Sequence, residues 1–209
     1  LRAHGLTVSE AAPEMRVPPE MRERAVKILQ AAGAPAELPV IAIQPFSLWR
    51  YKEWDIDKFV PLVQRILATC RVSIAVTGSP DEQSRAEDIV GRFGPDTPHV
   101  YNLAGKTTLG ELSALIAACR LFIGLDSAGI HIAAAVGTPT VAIFGPSAPA
   151  SWAPIGESHA FVQKDLPCVP CRQKGCNGSG VSRCLEELGV DEVWRTVRIQ
   201  LSRLGFDAA

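Results

Sequence analysis

The stretch 121–145, LFIGLDSAGIHIAAAVGTPTVAIFG, constrains the fold of this chain more than any other. Leu121, Phe122 and Ile123 form a short apolar run that reads as a buried strand ending at Gly124. Asp126 and Ser127 are good N-cap residues, and an alanine-rich helical segment follows to Val136. Gly137 suits the position after the helix, Pro139 blocks its continuation, and 140–144 reads as the next strand. Two buried strands joined by a helix of small residues make a βαβ unit, which favours a parallel sheet. The loop leaving the first strand faces a helix N-terminus, where unpaired N–H groups and the helix dipole attract anions. Two readings follow: a phosphate site, or simply a capped helix in an α/β core.

The rest of the chain repeats the alternation. A helix starts at Pro19 and runs to about Ala32, and Gly33 and Pro35 end it. Strands are expected over 40–43, 72–76 and 100–103, with a weaker one over 160–163. Helices are expected from Asp55, which caps a segment carrying Phe59, Leu62, Val63, Ile66 and Leu67, and over 81–93, 109–118 and 191–204. A short helix is expected near Leu185, and 146–157 reads as a loop rich in Pro, Ser and Ala. Residues 1–18 mix Gly, Pro and charge without a period and read as a linker, leaving 19–209 as one Rossmann-like domain. The fold class is therefore α/β, a doubly wound parallel sheet.

Such sheets bind ligands beyond the carboxyl ends of their strands. The loops 44–52, 77–82, 104–107, 124–131 and 144–150 should converge there. They offer Ser47, Lys52, Thr77, Glu82, Lys106, Thr107, Asp126, Ser127 and His131. Trp49, Trp54 and Trp152 read as packing residues, with one of them lining the cleft as the alternative. Charge narrows the partners: 21 Lys and Arg face 22 Asp and Glu, so no global basic signature marks nucleic-acid binding. No G-x-G-x-x-G follows a strand; Gly105-Lys106-Thr107 lacks the earlier P-loop glycine; no G-x-S-x-G surrounds Ser127. Cys70 and Cys119 sit alone in apolar segments and read as packed thiols. Cys168, Cys171, Cys176 and Cys184 are crowded, and their spacing is compatible with free thiols, disulfides or, less favoured, a tetrahedral metal site.

Residues 124–146, GLDSAGIHIAAAVGTPTVAIFGP, resemble the signature of glycosyltransferase family 9, the heptosyltransferase family of lipopolysaccharide core synthesis. Further similarities are Lys52-Glu-Trp54, Gly78-Ser-Pro-Asp-Glu82, Asn102-Leu-Ala-Gly-Lys-Thr-Thr-Leu109 and the Cys168–Cys184 segment. The resemblance implies the C-terminal half of a GT-B glycosyltransferase, the half that binds a nucleotide-sugar donor, typically ADP-heptose. It implies donor contacts from Ser47, Lys52, Glu82, Thr107, Asp126, Ser127, Ala128, Gly129 and His131, with Lys52 stabilising the diphosphate leaving group. It also implies no required cofactor, a lipopolysaccharide core acceptor bound by an N-terminal half absent from this chain, and no transfer by this chain alone. The expected place is the cytoplasm, with peripheral association at the inner face of the inner membrane. Other UDP-, dTDP- or CMP-linked donors, or a non-catalytic nucleotide- or metal-binding module, are the alternatives.

Two positions depart from the family pattern. Asp-Ser/Thr-Gly becomes Asp126-Ser127-Ala128, with glycine displaced to Gly129, which adds a methyl where backbone approaches phosphate. The Pro-Gly-Ala-like turn becomes Pro45-Phe46-Ser47, where a bulky Phe46 is expected to alter which base or sugar fits. Lys52 and the 126–129 loop are expected to form two walls of one pyrophosphate pocket, with Asp126 holding the loop rather than touching phosphate.

Overall fold

The computed structural model describes residues 13–94, 97 and 99–206. Of the expected linker, residues 1–12 lie outside that range; in the remainder, the Met15 N–H donates to the Ala135 carbonyl at 2.7 Å. The elements follow in the order α1 (Pro19–Ala31), β1 (Val40–Gln44), α2 (Ile56–Thr69), β2 (Ser73–Val76), α3 (Gln83–Val90), β3 (Val100–Asn102), α4 (Leu109–Ala118) and β4 (Leu121–Leu125). Then come α5 (Ala128–Ala135), β5 (Thr140–Phe144), α6 (Pro149–Trp152), β6 (His159–Gln163), α7 (Arg183–Glu186) and α8 (Val190–Arg203). All six strands are parallel, in the order β3-β2-β1-β4-β5-β6.

The four inner strands β1, β2, β4 and β5 are buried on both faces, so they read as nearly continuous apolar runs, whereas the edge strand β6 is half-exposed. Alternate side chains divide between two cores. Ile41, Ile43, Ile74, Val76, Ile123 and Ile143 pack with Phe59, Leu62 and Ile66 of α2, Ile89 of α3, and Val193, Val197 and Leu201 of α8. Ala42, Ala75, Phe122 and Ala142 face Ala25 of α1, Leu115 of α4, and Ile130 and Ala133 of α5. On this second face the small side chains leave room, and the Phe122 ring fills it. A Cβ on Gly124 would lie 2.6 Å from that ring, and one on Gly129 would lie 2.7 Å from it. Glycine at both positions lets α5 settle low against the sheet.

The βαβ unit expected over 121–145 forms as β4, α5 and β5, with Gly137 at φ +81° just beyond α5. Asp55 caps α2 by accepting from the Asp57 N–H at 3.0 Å. Two expectations change. The 146–157 loop contains the short helix α6, which starts at Pro149, and the helix expected over 81–93 splits into a 3-10 turn, Pro80–Glu82, and α3. Proline at the start of each short turn fixes the first φ without removing a needed donor.

Candidate functional site

The strand order reverses between β1 and β4, which is where an open parallel sheet forms its ligand crevice. Gln44, the last residue of β1, pairs in register with Gly124 of β4. Beyond this switch point lies a cavity of about 620 Å³. Ser47, Lys52, Glu82, Thr107, Asp126, Ser127, Ala128, Gly129 and His131 all line it. A smaller cavity of about 370 Å³, beside Val26, Leu29, Pro39 and Arg120, lies at the amino ends of the strands and lacks this convergence of polar groups.

Two of the offered residues stay out. Thr77 is buried and donates its hydroxyl to the Ile43 carbonyl at 3.3 Å. Lys106 is exposed and does not line the cavity.

The centre of the site is an ion pair. Lys52 Nζ lies 2.7 Å from Asp126 Oδ2; Asp126 is 5% exposed and Lys52 22%. This corrects the reading of Asp126 as an N-cap, for its carboxylate is turned to Lys52. The N-cap of α5 by backbone geometry is Ser127, and it makes no side-chain cap bond. Its Oγ is buried without a partner, as is Gln44 Oε1. Ser127 therefore has a hydroxyl to donate at the start of a helix whose dipole favours an anion there. His131, offered as a donor contact, is exposed on the cavity wall.

The loop that carries Lys52 is held by Glu53. That carboxylate, 9% exposed, accepts from the Ser47 N–H at 3.1 Å and from both arms of Arg85 at 3.1 and 2.7 Å. Arg85 also lies 4.6 Å from the centroid of the Phe46 ring. Ser47 tightens the same turn by accepting from the Trp49 N–H at 3.3 Å. From the other side, Ser182 donates to the Tyr51 carbonyl at 2.6 Å. Glu82 accepts from the Ser79 N–H at 2.7 Å, so one of its oxygens shapes the 3-10 turn at the cavity edge.

Sequence reasoning missed several lining residues. In the sequence Gln44 marks only the start of a loop, and Trp49 and Trp152 suggest packing. Of the three tryptophans 49, 54 and 152, Trp54 is the buried one, with its indole N–H on the Leu188 carbonyl at 2.9 Å. Trp49 is 48% and Trp152 56% exposed, and both line the cavity. Their position at carboxyl strand ends was the available signal.

The crowded cysteines carry free thiols: Cys168 and Cys176 are exposed, Cys171 is half-buried and Cys184 is buried. Burial pushes the Cys184 thiol up to about 11. Among the described residues, no group of three or more His, Cys, Asp or Glu side chains is arranged to hold a metal ion. Cys70 and Cys119 are buried, and Cys119 donates to the Leu115 carbonyl at 3.1 Å.

Residues 2–181 match the family model described as glycosyltransferase family 9 (heptosyltransferase). The chain belongs to glycosyltransferase family 9. It is 38% identical over 140 residues to lipopolysaccharide heptosyltransferase 3 of Escherichia coli, covering 67% of this chain and 40% of that protein. It is 32% identical over 148 residues to lipooligosaccharide heptosyltransferase 2 of Campylobacter jejuni, covering 70% of this chain and 46% of that protein. This family 9 chain thus spans less than half the length of the curated relatives it matches. Its fold is that of the solved E. coli ADP-heptose lipopolysaccharide heptosyltransferase II, with a TM-score of 0.78 at 22% identity over 96% of this chain and 57% of that one.

The two departures from the family 9 pattern have different consequences. Ala128 is exposed and presents its methyl to the cavity mouth. Gly129 is glycine for an internal reason: a Cβ there would lie 2.2 Å from Gln44 Oε1. Phe46 is fully buried in the core against Arg85 and lies at the cavity wall.

Proposed function

We propose that the chain binds the nucleotide-sugar donor ADP-heptose in the switch-point cavity, as the donor-binding part of a heptosyltransferase that acts on the lipopolysaccharide core. The observation that carries this reading is the Lys52–Asp126 pair set beside the N-terminus of α5. The names of the family 9 relatives and the ADP-heptose specificity in the name of the matched E. coli structure support the choice of donor.

The chemistry follows from the donors present. The Lys52 ammonium has three N–H groups, of which Asp126 takes one, leaving two for a diphosphate. Ser127 and the first-turn N–H groups of α5 supply directional donors on the facing wall. As the bond from sugar to diphosphate breaks, negative charge grows on the diphosphate, and these groups stabilise the leaving group. Glu82 and Thr107 line the cavity on the β2 and β3 side, and this reading gives them the ribose or base. The reading needs no metal. It assigns acceptor binding and transfer to the whole protein, working in the cytoplasm at the inner face of the inner membrane. Among the described residues no helix is long and apolar enough to cross a membrane.

Thermal unfolding against ADP, UDP, dTDP, CMP and zinc tests it, because a ligand that binds only the folded state raises the transition temperature. ADP should give the largest shift. A larger shift with UDP, dTDP or CMP would assign another donor, and a response to zinc alone would replace the reading with a metal-binding module.

A further inference from the structure

Gln44 has no part in the reading above, yet it stands at the middle of the site. It is the last residue of β1 at the switch point, it lines the cavity, and its Oε1 is buried without a hydrogen-bond partner. The fold makes room for it: Gly129 lacks the side chain that would strike that oxygen at 2.2 Å. A buried acceptor left unpaired is costly, so a bound ligand that donates to it gains what the empty site lacks.

The chemistry of the oxygen limits the donor. A carboxamide oxygen only accepts, and an ionised diphosphate has no hydrogen to give it. Ser127, whose Oγ is also buried and unpartnered, can donate to a phosphate oxygen. On the β2 and β3 side, Glu82 and Thr107 offer acceptors to the ribose. The group that remains beside the diphosphate, and that carries hydroxyl donors, is the sugar to be transferred.

We propose that Gln44 is a specificity-determining residue that reads the transferred sugar, its carboxamide oxygen accepting a hydrogen bond from a hydroxyl of the glycosyl group. This rests on the nucleotide-sugar reading. It distinguishes two walls of one site: Ser127 and Lys52 recognise the diphosphate, which ADP shares, whereas Gln44 recognises what only the nucleotide sugar has.

Calorimetry with ADP and ADP-heptose on wild type, Gln44→Leu, Gln44→Glu and Ser127→Ala tests this, with thermal unfolding of each variant as the check on folding. Gln44→Leu should lower the preference for ADP-heptose over ADP by about tenfold, the loss of one hydrogen bond to a buried acceptor, and leave ADP affinity unchanged. Gln44→Glu keeps an acceptor oxygen of the same reach and should keep the preference, whatever it does to overall affinity. Ser127→Ala should weaken both ligands in parallel. An unchanged preference in Gln44→Leu, or a preference lost equally in Gln44→Glu, would overturn the assignment. So would a wild-type chain that binds ADP and ADP-heptose equally, although the diphosphate site would then stand. Wild type binding neither ligand would remove the nucleotide-sugar reading itself, and Gln44's role with it.

Discussion

Lys52 Nζ and Asp126 Oδ2 meet at 2.7 Å although 74 residues separate them in the chain. One leaves β1 and the other leaves β4, and these strands are neighbours across the switch point. The pair does two jobs: it fixes the loops on either side of the cavity, and it keeps a cation beside the α5 N-terminus. Removing either partner leaves a poorly hydrated charge behind. Lys52→Ala should therefore destabilise the fold by about 1–3 kcal/mol, less than the roughly 3–5 kcal/mol of a fully buried pair, because Lys52 keeps 22% exposure. The double variant with Asp126→Ala should be less destabilised than the two single effects summed. Denaturant unfolding of the four proteins measures this, and strict additivity would show the pair to be uncoupled.

Glu53 determines whether Lys52 is presented at all. Its carboxylate receives four N–H donors, one from Ser47, one from Arg50 and two from Arg85. Glu53→Gln turns an acceptor into a donor within this set and removes the charge that faces Arg85. A loss of about 1–3 kcal/mol in stability is expected, together with weaker nucleoside diphosphate binding as the 44–52 loop loosens. Unfolding and calorimetry on the same variant check both effects. A variant matching wild type in both would show that the clamp does not hold the loop.

The 121–145 unit was legible in the sequence because its strand, cap, helix and stop signals agree over one continuous segment. The sheet order then brings the loops at the carboxyl strand ends to one edge, as parallel topology requires. The Asp126–Lys52 contact was legible only in part: their meeting followed from topology, but the direction of the Asp126 side chain did not. A carboxylate before a helix has two good partners, a backbone N–H and a distant ammonium, and only three-dimensional packing chooses between them. The role of Gly129 was hidden for the same reason, since its constraint comes from Gln44 and Phe122, both outside the helix. Trp49 and Trp152 were misread because an isolated tryptophan has no period that marks it as exposed.

Stability should also depend on pH through His159 on β6. Its ring lies 3.1 Å from the Thr140 hydroxyl, and burial holds its pKa below the ordinary 6.5. The unfolded chain then binds the proton more readily than the folded one. Stability from this residue is full above about pH 6.5 and is lost as pH falls from there through the lower folded value. Unfolding midpoints measured between pH 7.5 and about 5 should decline, and His159→Gln should flatten that part of the decline. The same slope in wild type and variant would place the titrating group elsewhere.

The most direct test of the account is calorimetry of ADP and of adenosine on wild type and Lys52→Ala, with each protein confirmed folded. If the cavity holds a diphosphate between Lys52 and the start of α5, Lys52→Ala weakens ADP by about 1–3 kcal/mol, the value of a lost charge-assisted hydrogen bond, and leaves adenosine almost unchanged. Equal weakening of both ligands, or of neither, would contradict it.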